Sequence, residues 1–228
     1  MVDEPDRHTS PFDWAIYADA TFAGLSVLIP IPLVDLYFEW LFKRRMPKAI
    51  AKRHGVVLDW RVARELNRGR YGCWAGCLIW PVTLVLEFLK RLYRTIFYVL
   101  TIKSATDQLS YYWHRAFLID YMLRRGDLTM SWERVMAASA AMDVLLRTVN
   151  TSPLLQLAQQ VVESGTHFFR TIWRRVRCKQ EDEMVAGTKA QMANAWRSFD
   201  SYFEEVASRY DVLYESHLAQ LMKKEEDG

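Results

Sequence analysis

A chain of 228 residues, half of them apolar and 14% aromatic, has the material for a large core and is not a disordered segment. Only nine glycines and seven prolines leave few turns for a sheet-rich fold, and apolar residues recur mostly at spacings of three and four, so an all-α protein is expected. Three cysteines, Cys73, Cys77 and Cys178, exclude a disulfide scaffold and point to a reducing compartment.

The net charge of +3 is unevenly spread. Residues 1–42 carry one Arg against seven acids, residues 43–102 carry thirteen Lys and Arg against three acids, and residues 178–228 carry six against eleven. The basic residues of the middle flank apolar runs rather than polar ones, which favours anionic lipid over nucleic acid as a partner. The opening Met-Val-Asp-Glu-Pro-Asp-Arg lacks the basic start of a signal peptide, so a location on the cytoplasmic side of a membrane is expected.

Residues 1–10 read as a loose tail. Ser10-Pro11 with Asp13 predicts a helix over about 11–28, with a hydroxyl cap, a proline at the first helical position and a carboxylate near the positive end. No charge falls between Ala20 and Val34, and Pro30 and Pro32 lie inside that run, so the chain must bend there. A second helix is predicted from about Leu33, kinked or restarted at Pro47 and ended by Gly55. On it Leu33, Leu36, Tyr37, Trp40 and Leu41 share a face. The two arms form a hairpin whose tip is Leu28, Ile29, Pro30, Ile31, Pro32, Leu33 and Val34, with a basic foot of Lys43, Arg44, Arg45, Lys48, Lys52 and Arg53. Each arm has about a dozen uncharged residues, short of the roughly 20 needed to span a bilayer, so a hairpin that dips into the membrane is expected.

Residues 56–70 form a polar basic connector. Tyr71–Leu86 is a charge-free run of sixteen residues broken by Pro81, with Gly72 and Gly76 spaced for close helix approach. An amphipathic helix follows to about Ile102, its basic side carrying Lys90, Arg91 and Arg94. Ser104 with Asp107 predicts the cap of a new helix over about 105–125, closed by Gly126. Thr129 or Ser131 caps the next, to about Val149, and Ser152-Pro153 opens another to about Arg177. In the last predicted helix, about 181–222, Met192, Trp196, Phe199, Phe203, Val206, Tyr210 and Leu213 alternate spacings of four and three. Such a seam suits packing inside a bundle, and an antiparallel pairing with helix 153–177 is expected. Three parts follow: a hairpin and basic-helix region over 11–103, a bundle over 104–222, and a tail over 223–228.

Chemistry is sparse. Cys73 and Cys77 share a helical face but have no histidine nearby, and the histidines at 8, 54, 114, 167 and 217 have no ligand spacing, so no metal is expected. His114 reads as a core or interface residue. His217 falls at a seam position, where a polar residue sets register. With no Gly-rich phosphate loop, no Gly-x-Ser-x-Gly and no His-Glu-x-x-His, neither enzymatic activity nor a cofactor is expected. Asp19, Asp35 and Glu39 flank the apolar hairpin, where carboxylates could serve ions or protons.

The run Leu-Ile-Pro-Ile-Pro-Leu-Val-Asp over 28–35, followed by Ala-Ile-Ala-Lys-Arg-His-Gly over 49–55, resembles the EcsC-type and YcjF-type bacterial helical families. Their Pro-x-Pro-x-x-Asp bend, the helix ending in an Ile-Ala…Gly step and a second apolar segment, here 71–102, occur in the same order. The resemblance spans about residues 12–102, implies membrane association and supplies no catalytic residues. The protein is therefore expected to be a non-enzymatic, membrane-associated accessory or scaffold protein, with a protein partner or a second copy of itself engaged through the aromatic seam. The alternatives are a soluble helical-bundle interaction module with the hairpin in its core, and a small pore or transporter component using Asp19, Asp35 and Glu39.

Overall fold

The computed structural model describes residues 12–28, 34–68, 94–148, 154–162, 190 and 192–226, and over these the protein is an all-α helical bundle with no strand. The helices are α1 (Trp14–Leu25), α2 (Val34–Arg53), α3 (Trp60–Leu66), α4 (Arg94–Arg125), α5 (Trp132–Thr148) and α6 (Asp200–Glu226). Residues 154–162 are also helical, and a 3-10 turn, Arg197–Phe199, leads into α6.

The spine is α4, whose 32 residues extend about 48 Å at 1.5 Å per residue. Helix α1 lies against α4 and α2, α3 bridges α2 to α5, and α5 packs on α6. Two features allow α1 to approach α4 closely. Ala20 and Ala23 are fully buried, and Gly24 faces Leu109 so tightly that a Cβ there would sit 2.5 Å from the Leu109 Cα. The Thr21 hydroxyl then ties the pair: it accepts from the Trp113 indole at 3.0 Å and donates to the Tyr17 carbonyl at 2.9 Å. The first arm of the predicted hairpin is thus packed in the core.

Helix ends follow local chemistry. The cap of α1 is Asp13, whose carboxylate accepts from the Ala15 amide at 2.9 Å, rather than the predicted Ser10. Asp59 does the same for α3, accepting from Arg61 at 2.9 Å. Both α2 and α4 close on a left-handed glycine. At Gly55 (φ +69°) the Val56 amide reaches back to the Ala51 carbonyl at 2.9 Å, and at Gly126 (φ +82°) the Asp127 amide reaches Met122 at 3.0 Å. These are Schellman closures, which satisfy carbonyls that a helix end leaves bare.

Two predicted boundaries differ. Helix α2 continues through Pro47, whose ring is buried, and does not restart there. Ser104 and Asp107 do not open a helix, because α4 runs unbroken from Arg94, and the division expected between 103 and 104 falls inside it. Ser104 is exposed, so its hydroxyl needs no backbone partner, and continuing the helix satisfies its own amide. Among the described elements, α6 packs on α5. The alanines of α5, Ala137, Ala138 and Ala141, are fully buried and small enough for a second helix to come close. Of the expected partner helix, residues 163–177 lie outside the described residues, while Leu154, Leu157, Ala158, Val161 and Val162 are buried.

Candidate functional site: an exposed apolar and basic ridge

Helix α2 departs from the rule that the apolar face turns inward. Leu36, Tyr37 and Trp40 are 54%, 56% and 52% exposed at its N-terminal end, next in sequence to the charge-free run. Large apolar side chains gathered on a surface mark contact sites rather than incidental exposure. The Arg44 guanidinium sits over the Trp40 ring, 5.2 Å from its centroid. The inward side of the same helix carries Met46, Ile50 and Ala51, all fully buried. The core-facing stripe of α2 is thus offset from the predicted face, because α1 and α4 lie against its other flank.

The six cations of the basic foot divide into three environments. Arg45 reaches Asp19 of α1 at 3.7 Å, and Arg53 pairs with Asp13 at the start of α1, so both tie the hairpin together. Lys43 is half-buried, its ammonium pushed down in pKa by burial and then by the Arg115 guanidinium. Arg44, Lys48 and Lys52 are exposed and form no ion pair among the described residues. Of the second basic group, Arg94 opens α4, while Lys90 and Arg91 lie outside the described residues. Of the apolar tip, Leu28 packs half-buried against the core, Val34 opens α2, and Ile29, Pro30, Ile31, Pro32 and Leu33 lie outside the described residues.

The carboxylates proposed for ion handling are engaged separately. Asp19 is buried beside Arg45, and burial pushes its carboxyl up in pKa. Asp35 accepts from the Leu36 amide at 2.8 Å in the first turn of α2, and Glu39 accepts from the Tyr112 hydroxyl at 2.6 Å. The aromatic seam is turned inward: Met192, Trp196, Phe203, Val206 and Tyr210 are buried, and Phe199 and Leu213 are half-buried against the core. Its rings meet those of α1 and α4, with centroids 4.3 Å apart for Tyr17–Trp196 and 4.5 Å for Phe117–Phe203. The seam is therefore packed within the chain. His217 is half-buried on α6.

Three polar ties, at Arg115, Asp120 and the half-buried Arg125, went unmarked in the sequence. Arg115 of α4 has no exposure, and its Nη2 donates to the Leu66 carbonyl at 2.7 Å and to Asn67 Oδ1 at 3.0 Å. Asp120 holds His54 at 2.6 Å and Arg124 at 3.0 Å, beside a cleft of about 10 Å³ lined by Tyr17, Phe117, Trp196, Asp200 and Phe203, which is room for about one water. Arg125 pairs with Asp127 at 3.2 Å and with Asp211 of α6, against the rings of Tyr121, Tyr210 and Tyr214. A charged residue inside an apolar helical run was the available signal, as at Arg115 and Asp120 within Tyr111–Met122. Each of these groups joins elements of the bundle, and their geometry is that of structural ties.

His114 shows the cost of such burial. Its Nδ1 faces the Ser110 carbonyl at 2.6 Å, and its Nε2 meets the Tyr202 hydroxyl at 2.7 Å, so the neutral ring donates to the first and accepts from the second. Burial pushes its pKa down to about 4. The unfolded chain takes up the proton near pH 6.5, whereas the folded protein does so only near 4, so stability is full above 6.5 and falls as pH drops between those values. The expected loss by pH 4 is about 3 kcal/mol. Urea titrations of the wild type and His114→Gln across that range check this. Curves that stay parallel throughout would refute it, since the carboxylates titrate in both.

Among the described residues no cluster of three His, Cys, Asp or Glu could hold a metal, and no helix is long and apolar enough to cross a membrane. Cys73, Cys77 and Cys178 lie outside the described residues. Comparison with known proteins finds no matching family model, curated protein or solved structure.

Proposed function

We propose that this chain is a non-enzymatic accessory or scaffold protein that associates with the cytoplasmic side of a membrane, binds its anionic surface and engages a protein partner. The observation that carries the reading is the outward placement of Leu36, Tyr37 and Trp40, directly after a charge-free run, on a helix whose own core face is already filled. Aromatic rings with one apolar and one polar end suit the boundary between headgroups and acyl chains. The Pro-x-Pro-x-x-Asp sequence over 30–35, which resembles that of the EcsC-type and YcjF-type families, supports the same reading.

The competing reading, a soluble interaction module with its hairpin in the core, is favoured by one observation: α1, the first arm, is buried from Ile16 to Leu25 apart from Ala18 and Phe22. Fractionation of cells expressing the full chain separates the two. The expected result is recovery with the membranes and partial release by high salt. Recovery wholly in the soluble fraction would reject membrane association.

A further inference from the structure

The exposed side of helix α2 changes character along its length. Leu36, Trp40, Arg44, Lys48 and Lys52 are spaced by four, so they follow one slanting ridge of the helix, and all are exposed. Tyr37 flanks the first turn of that ridge and is exposed as well. Its first two positions are apolar and its last three cationic. The cations on it are the three exposed members of the basic foot that form no ion pair among the described residues, whereas Arg45 and Arg53, off the ridge, are committed to Asp19 and Asp13 of α1.

We propose that this ridge is the lipid-reading unit of the protein, docking α2 obliquely on an anionic phospholipid surface. Leu36, Tyr37 and Trp40 enter the headgroup layer, and Arg44, Lys48 and Lys52 meet the lipid phosphates. Three physical points support it. Apolar area and cationic charge on one helix are the combination that binds anionic interfaces. The Trp40 ring lies under Arg44 at the place where the ridge turns from apolar to charged, as an aromatic at a headgroup boundary should. The ridge bears no carboxylate, so nothing on it repels a lipid phosphate. The proposal rests on the membrane reading above and narrows it to one helix, one lipid charge class and one direction of tilt.

The test is vesicle flotation of the full chain with phosphatidylcholine vesicles, with and without phosphatidylglycerol. Wild type is expected to float with the anionic vesicles and far less with the neutral ones. The triple variant Arg44→Gln, Lys48→Gln, Lys52→Gln changes only exposed side chains, and it should lose roughly a hundred-fold in affinity for anionic vesicles. Leu36→Gln with Trp40→Gln should leave binding that salt removes completely. The control is Arg45→Gln with Arg53→Gln, which removes two charges of the same sign but cuts ties to α1. It should lower Tm and lose less than about ten-fold in vesicle affinity. Wild-type flotation with a triple variant that floats equally well, or a double variant as impaired as the triple, would overturn the ridge while leaving membrane association standing. Wild type that ignores both kinds of vesicle, or that binds duplex DNA instead, would overturn both.

Discussion

Gly24→Ala is expected to destabilise the protein by about 3 kcal/mol, although the same change in an isolated helix would help. Two effects oppose each other. Alanine is favoured over glycine inside a helix by about 1 kcal/mol, because glycine gives up more backbone freedom on folding. Against this, the added Cβ would lie 2.5 Å from the Leu109 Cα and 2.8 Å from its Cδ1. A side-chain tip can rotate away, but backbone cannot, so α1 and α4 would have to part. Separation would also strain the Trp113–Thr21 bond and open the contact of the Tyr17 ring with Trp196. For a chain of this length the loss corresponds to a fall in Tm of roughly 10 °C, readable by circular dichroism. Equal or greater stability of the variant would mean that α1 does not meet α4 at this position. The outcome also bears on function, since it tests whether the first arm of the hairpin belongs to the core.

The second large effect is expected at Arg115, and its chemistry separates charge from volume. The guanidinium is fully buried where α3 ends, and Nη2 caps the Leu66 carbonyl and the Asn67 side chain. That carbonyl lies at the negative end of α3, so the cation also meets a favourable helix dipole. Nε and Nη1 find no acceptor among the described residues, which leaves part of the desolvation cost uncompensated. Arg115→Ala removes the donor, empties the space and strands the two acceptors, so a loss of about 3–5 kcal/mol is expected. Arg115→Met fills most of the space without a charge to bury and should cost less than about 2 kcal/mol. Urea midpoints of the two variants, taken with unchanged m-values, make the comparison. If methionine were as damaging as alanine, the charge itself would be indispensable and the partial desolvation argument would fail.

Some of the architecture was legible because it rests on interactions within one turn of the chain. The spacing of apolar residues marked the helices, and the 4-3 alternation from Met192 to Leu213 marked a packing seam whose members are buried or half-buried. Gly55 and Gly126 marked two helix ends, since each adopts the left-handed conformation that a side chain resists. His114 was readable as a core residue from its aromatic neighbours and is buried. Caps were less secure: Ser10 and Asp13 both suit the start of α1, and the helix uses Asp13. Choosing between adjacent candidates depends on where the helix packs, not on their own chemistry.

What composition and periodicity determined was a chain of helices, their approximate ends, and a stock of apolar and basic residues around α2. Tertiary structure decided which way those residues face. The face of Leu36, Tyr37 and Trp40 looks like a core stripe in a helical projection, and it points outward because α1 and α4 cover the opposite flank. Six neighbouring cations look equivalent in sequence, yet pairing with Asp13 and Asp19, both distant in the chain, and burial sort them into two ties, a half-buried lysine and three exposed charges with no ion pair among the described residues. Periodicity reports that a helix has two sides. Only the neighbours, fixed by burial summed over the whole bundle, determine which side meets water and which meets the core.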